Sequence, residues 1–324
     1  MNSAARFNNH SERQKIMRIF HVTLTALALF VLSGCAAVQT TGGRFDTTPR
    51  LAVISAFDVE LEKLRSATTV TATYEVNGRT HYLGRLAGQD VVLLQSGFSM
   101  VNAAMTTQAL LDRFNITGIV FSGIAGGVNP GLHVGDVSVP AQWGNYQENI
   151  FARETESGYD PGRFKAEFKN FGMMFPHSSS VPALDGGPDK LERRFWFPVD
   201  RKALDRASRL SGKVSLGKCT ASGECLNNTP HLVVGGNGVS GPTFVDNATY
   251  RQWAWETFQA DALDMETAAV AHVSYVNRVP YIAFRSLSDL AGGGVGKNEG
   301  KIFGKLAADN SATVVIEYLK SIGE

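Results

Sequence analysis

Short unbroken apolar runs alternate along this chain with longer segments whose apolar positions recur at helical spacing. Leu51–Phe57 is the first such run and reads as a buried strand. Asp58 then begins a helix as its N-cap residue, with the early acids Glu60 and Glu62 behind it. Thr69–Val76 and Thr80–Leu86 flank Asn77-Gly78, a dipeptide suited to a tight hairpin because both residues tolerate positive φ. Val91–Gln95 is another buried strand, Ser96–Met100 the turn after it, and Val101–Phe114 a helix. Ile116–Ser122 is a strand ending in Gly123-Ile-Ala-Gly-Gly127, and Val134–Pro140 a further short strand. This order predicts the α/β class, with a mixed twisted central sheet flanked by helices in a single domain.

Residues 143–230 are less regular, with Trp143, Tyr146, Phe164, Phe168, Phe171, Phe175, Trp196 and Phe197 scattered among charges and glycines. They read as an elaborated insertion shaped as a lid, with a helix near Asp200–Leu210. Regularity returns at His231–Ser240. A helix follows over Asn247–Phe258, a strand over Ala260–Leu263, a helix over Met265–Asn277, a strand over Tyr281–Arg285, and a closing helix over Ile302–Ser321.

The 324 residues are 44% hydrophobic, enough for an ample core. With 31 basic and 30 acidic side chains, the charge balance does not point to a nucleic-acid partner. The N-terminus stands apart. Arg13, Lys15 and Arg18 precede the apolar run Ile19–Leu32, whose 14 residues are short for a bilayer span and suit a signal-peptide core. The run ends in Leu32-Ser33-Gly34-Cys35, which resembles a bacterial lipobox in which Cys35 becomes the lipidated first residue; a plain signal peptide is the alternative. Residues 1–34 are then a signal peptide, with Met17 a second candidate start, and 35–49 a tether. The domain proper runs over 50–324. Export to the cell envelope, facing the periplasm or the exterior, leaves Cys219 and Cys225 in an oxidising compartment. Six residues apart in a loop rich in small polar residues, they suit a local disulfide better than a metal site.

Two acids sit where apolar strands end. Glu266 lies in Ala262-Leu-Asp-Met-Glu-Thr-Ala-Ala, where a strand turns into a helix, and Asp289 closes Phe284-Arg-Ser-Leu-Ser-Asp. Carboxylates at the carboxyl ends of neighbouring strands suit a cleft at the edge of an α/β sheet. With these acids stand the blocks Val53-Ile-Ser-Ala-Phe-Asp-Val-Glu60, Gln95-Ser-Gly-Phe98, Ser122-Gly-Ile-Ala-Gly-Gly127 with Gly135-Asp-Val137, Ser240-Gly-Pro-Thr-Phe-Val245, Asp264-Met-Glu-Thr-Ala269 and Arg285-Ser-Leu-Ser-Asp289. In this order they resemble the nucleoside phosphorylase/nucleosidase superfamily, and within it the 5′-methylthioadenosine/S-adenosylhomocysteine nucleosidases. The resemblance covers about 50–142 and 231–322 and is weak across 143–230.

It implies cleavage of the N-glycosidic bond of a purine nucleoside. That reaction builds positive charge on the ribose and negative charge on the departing base. The base leaves more readily when protonated, the sugar hydroxyls must be held, and a nucleophile must be placed at C1′. The resemblance makes Asp289 the acid that protonates the base, oriented by Ser288; the alternative is an N-cap on the following Gly-rich loop. It makes Glu266 the acceptor for the vicinal ribose hydroxyls, with Met265 beneath the sugar; a helix-terminal acid favoured by the dipole is compatible with that role. Glu60 matches the acid that activates water, against an exposed first-turn glutamate. Arg285 helps hold that water or an anion, or pairs with Asp264 or Glu266. Phe244 stacks on the purine and the Val245 backbone meets its edge, with Ala125 and Gly126 from the Gly-rich turn beside them; core packing is the alternative for Met265 and Phe244.

Three positions depart from the pattern: Ile124 stands where a small hydroxyl residue is common, Phe57 where methionine is, and Phe98 replaces an aliphatic residue. They bear on the 5′ substituent more than on the purine. The first βα loop brings Asp58 and Glu60 before any cation, and the Ser96–Met100 loop has no arginine, so water suits the site better than phosphate. A phosphate-dependent phosphorylase remains the alternative, and a non-catalytic nucleoside-binding or storage-type protein a second. The resemblance implies a homodimer paired through the first helix and the Gly-rich loop. It implies no metal or organic cofactor.

Overall fold

Fourteen consecutive residues, Phe114–Gly127, form one long strand around which the rest of the protein is arranged. A computed structural model describes residues 43–187, 189–294 and 296–323. The expected signal peptide, Cys35 and most of the tether lie outside the described residues.

The strands run β1 Asp46–Ser55, β2 Thr69–Val76, β3 Arg79–Leu86, β4 Gln89–Gln95, β5 Phe114–Gly127, β6 Val137–Val139, β7 Gln142–Asn145, β8 Asn149–Phe151, β9 Arg153–Thr155, β10 Gly158–Asp160, β11 Met174–Pro176, β12 Ser179–Pro182, β13 Leu191–Arg194, β14 Trp196–Pro198, β15 Leu232–Val234, β16 Asn237–Ser240, β17 Ala260–Asp264 and β18 Tyr281–Asp289. The helices are α1 Asp58–Ser66, α2 Ser99–Arg113, α3 Arg201–Ser208, α4 Ala248–Phe258, α5 Thr267–Val276 and α6 Gly300–Lys320.

Twelve strands form one mixed sheet, ordered β14-β7-β16-β17-β5-β1-β4-β3-β2, with β18 paired to β5 and β6, and β15 to β6. Parallel pairs β4-β1-β5-β18 make its centre, and β2 and β3 add an antiparallel edge. The length of β5 has a structural reason. Its first half pairs with β1, and its last two residues, Gly126 and Gly127, pair antiparallel with β17. One strand therefore joins two parts of the sheet, and β18 follows it along the other edge. Ala52, Ile54, Phe121, Ala283 and Leu287 fill the core on one side, with Val53, Val120, Ile282 and Phe284 on the other. Strands buried on both faces carry continuous apolar runs, which is why they are visible in the sequence.

Several boundaries differ from those the pattern predicts. Strand β1 begins at Asp46, inside the expected tether, because Asp46 and Arg50 form a salt bridge and pair with β5. The N-cap of α1 is Phe57, and Asp58 is its first helical residue with no capping hydrogen bond. Helix α5 begins at Thr267 with Glu266 as N-cap residue. The short strand expected over Val134–Pro140 is only Val137–Val139, and the 143–230 segment is not a separate lid. Trp143 and Tyr146 are fully buried, and β7 and β14 belong to the main sheet. Between them lie three two-stranded ribbons, β9-β10, β8-β11 and β12-β13. Cys219 and Cys225 are joined by a disulfide across six residues. Arg44–Glu324 is one compact unit.

Candidate active site

The carboxyl ends of β1, β5, β17 and β18 open onto one cavity of about 590 Å3. Glu60, Ala125, Gly126, Phe244, Val245, Met265, Glu266, Ser288 and Asp289 all line it. Arg285 does not; it stands behind the acids, wholly buried.

Glu60 sits in the first turn of α1 yet is buried. Its Oε2 accepts the Ala56 N–H at 2.7 Å and its Oε1 the Ile124 N–H at 2.8 Å, so the turn after β1 and strand β5 both hold it. Burial pushes its pKa up, while the nearby Arg285 guanidinium and the two backbone donors pull it down. Gly123 makes this approach possible. A Cβ there would come within 1.9 Å of Arg285 Nη1 and 2.6 Å of Glu60 Oε1.

Glu266 caps α5 in position only, since its side chain makes no cap bond. Its carboxylate turns to the start of α2 and accepts the Ser99 N–H at 2.7 Å. Burial and then the charge of Asp264 push its pKa up from 4.5 to about 7, against the opposing pull of Arg285. The acid closest to Arg285 is Asp264, whose Oδ2 lies 2.8 Å from Nε. Asp264 also accepts the Ser240 hydroxyl at 2.5 Å and the Thr267 N–H at 3.1 Å. Thr267 Oγ1 accepts from Nε and Nη2 of Arg285 at 2.9 and 2.8 Å, and Phe121 stacks 4.0 Å beneath the guanidinium. Nη1 has no hydrogen-bond partner and stands 3.8 Å from Glu60 Oε1. The ion pair with Asp264, one of the two roles open to Arg285, is formed. One cation is shared by Asp264, Glu60 and Glu266, so removing any one of these charges would leave the others buried and less compensated.

Asp289 ends β18, where the register with β5 slips by one residue opposite Gly126. The strand runs four residues past the expected Tyr281–Arg285, through Ser286 and Ser288 to Asp289. The slip turns Ser288 and Asp289 towards the cavity. Ser288 donates to Asp289 Oδ2 at 2.8 Å, and the Ala291 N–H donates to Oδ1 at 2.8 Å. The local cap expected as an alternative is thus present, on a carboxylate that also faces the cavity.

Phe244 is 67% exposed, so core packing does not explain it; Val245 beside it is buried. Phe57 and Phe98 stack at 4.8 Å and line the same cavity with Ile124. Four contributors were missed in the sequence: Ser99, which acts through its backbone, Thr267, and the lining residues Lys297 and Lys301. Only Thr267 had a usable signal. In Asp264-x-x-Thr267 the aspartate side chain accepts the two N–H groups that open the next helix. Among the described residues no His/Cys/Asp/Glu group is arranged to hold a metal.

The fold and this ring of acids define a class. Residues 50–320 match the family model of the phosphorylase superfamily, and the chain belongs to that superfamily. More particularly, it is similar to the 5′-methylthioadenosine/S-adenosylhomocysteine nucleosidases of Listeria monocytogenes serotype 4b (30% identical, 84% of this chain and 99% of the relative) and Tolumonas auensis (28%, 84% and 100%). The crystal structure of the Neisseria meningitidis 5′-methylthioadenosine/S-adenosylhomocysteine nucleosidase in complex with methylthio-immucillin-A is alike in fold. Its TM-score is 0.60 at 27% identity, over 84% of this chain and 98% of that one.

Proposed function

We infer that this chain hydrolyses the N-glycosidic bond of purine nucleosides, taking 5′-methylthioadenosine or S-adenosylhomocysteine-type substrates or simple purine nucleosides. The observation that carries this reading is the convergence of Glu60, Glu266 and Asp289 on one cavity with an exposed aromatic ring on its wall. Asp289 delivers a proton to the departing purine, and Ser288 orients its carboxyl. Glu266 accepts the ribose hydroxyls; a carboxylate acceptor is stronger than a neutral one. Phe244 stacks on the base. Glu60 removes a proton from the attacking water. Burial makes it a stronger base, and its two N–H donors keep it aimed. Arg285 acts as a positioning residue that holds the acids in register.

The cations argue for water. The nucleophile must approach C1′ from the face opposite the base, the side of Glu60. Arg285 is there, but it is enclosed by Asp264, Thr267 and Glu60. The lysines that line the cavity, Lys297 and Lys301, belong to the other side, where Gly300 adjoins Asp289. No free cation among the described lining residues faces an incoming phosphate dianion.

We propose two further properties. The chain is a homodimer, supported by the exposed apolar side chains Phe98, Val101 and Met105 on one face of α2 beside the cavity. It is anchored in the bacterial envelope through lipid on Cys35, supported by the lipobox-like sequence; finding the mature chain lipid-free in the cytosol would overturn this.

The test of the central reading is base release from methylthioadenosine, S-adenosylhomocysteine, adenosine, inosine and guanosine. Asp289→Asn and Glu266→Gln are each expected to lower kcat/KM by about 10²–10⁴-fold, the usual contribution of a positioned acid or of hydroxyl binding realised in the transition state. Normal turnover in both variants would overturn the site.

A further inference from the structure

A second cavity, of about 650 Å3, lies on the other side of the Thr243-Phe244-Val245 segment, which lines both. Gln147, Asn149, Phe151, Phe171 and Met174 in its wall come from the part of the chain that the family pattern covers least. Phe151 and Phe171 are supplied by that segment and Tyr250 by α4. Phe171 and Tyr250 meet edge to face at 4.9 Å and make an aromatic corner. Phe151 is 65% exposed on the strand that brings it there, so, like Phe244, it is not held by core packing.

The polar groups of this cavity are equally specific. The side-chain oxygens of Gln147 and Asn149, both in its wall, are buried without a hydrogen-bond partner. Gln147 turns its Oε1 towards Gly241, where a Cβ would lie 2.4 Å from it, and its amide nitrogen donates to the hydroxyls of Tyr146 and Tyr250. Gln147, Asn149, Asp246 and Asn247 are polar residues that line the cavity, and their amide and carboxylate groups can pair with N–H groups of a ligand. Aromatic faces beside amide and carboxylate side chains describe a site for a flat heterocycle with N–H groups on its edge. Among the described lining residues Asp246 is the only carboxylate, and none of them repeats the paired acids that line the first cavity.

We propose that the second cavity binds a free purine base. This rests on the reading that a purine is the leaving group in the first cavity. A base released there has one exposed ring, Phe244, between it and a second aromatic site. The second cavity is then a holding place for the product, on the way out of the catalytic cleft.

Equilibrium dialysis of radiolabelled adenine against the full chain tests this. Two adenines per chain are expected. Phe151→Ala or Asn149→Ala should weaken one of the two at least tenfold while leaving the other, and the rate of base release, unchanged. The site that is left serves as the control for folding. Adenine binding that neither substitution weakens, whether at one or at two per chain, would overturn the proposal. The failure of the nucleosidase reading looks different: no nucleoside would yield base, while the effect of the two substitutions on adenine binding would still decide the second cavity.

Discussion

Glu266 shows how one side chain can be legible in a sequence while its chemistry is not. Its position at a strand-to-helix junction follows from the apolar run before it and the alanine-rich run after it. What it faces does not follow. Ser99, 167 residues earlier, donates to it, and burial and then Asp264 raise its proton affinity. The pKa of about 7 has a consequence for stability. Between 4.5 and about 7 the folded chain holds a proton on Glu266 that the unfolded chain has released. Stability from this group is therefore full below 4.5 and falls as pH rises through about 7. Thermal unfolding of wild type and Glu266→Gln across pH 4–9 should show the difference between them changing in that window and flat above it. A constant difference would mean that Glu266 does not hold that proton. Asp289 was equally visible, as the last residue of an apolar block. Its hydrogen bond from Ala291 was not, because it depends on the loop that follows.

At the scale of elements, the buried parallel strands and the Asn77-Gly78 hairpin could be read because their signals are local. The ends of β5 and β18 could not. Both strands continue past their apolar runs, into Gly123–Gly127 and Ser286–Asp289, because they pair with each other there. That pairing gathers the site, and it is a tertiary contact. The aromatic segment 143–230 misled for a related reason: Trp143 and Phe197 pair across β7 and β14 at the sheet edge, with about 50 residues of ribbons between them. Gly123 is the narrowest point of the arrangement. Gly123→Ala should push Arg285 and Glu60 apart. Overpacking of this kind costs about 1–3 kcal/mol, and a drop in kcat should exceed any change in KM. Unchanged kcat at unchanged melting temperature would show that the close approach is not required.

On the scale of the whole molecule, sheet, helices and catalytic cleft belong to one compact unit. The exposed face of α2 lies beside the mouth of that cleft. Val101, 81% exposed, is its most prominent apolar residue. Val101→Glu is expected to convert a dimer to a monomer in sedimentation equilibrium, since a charge buried at an interface core has no partner. A wild-type chain that sediments as a monomer at micromolar concentration would contradict the dimer. The fate of phosphate discriminates most sharply between the ways this fold can use its cleft. The decisive measurement is product analysis with methylthioadenosine in phosphate-free buffer and again with added phosphate. Free adenine and unphosphorylated methylthioribose, formed at the same rate in both, is the predicted result. Sugar 1-phosphate formed only when phosphate is present would contradict hydrolysis and require an anion site that Arg285 does not offer.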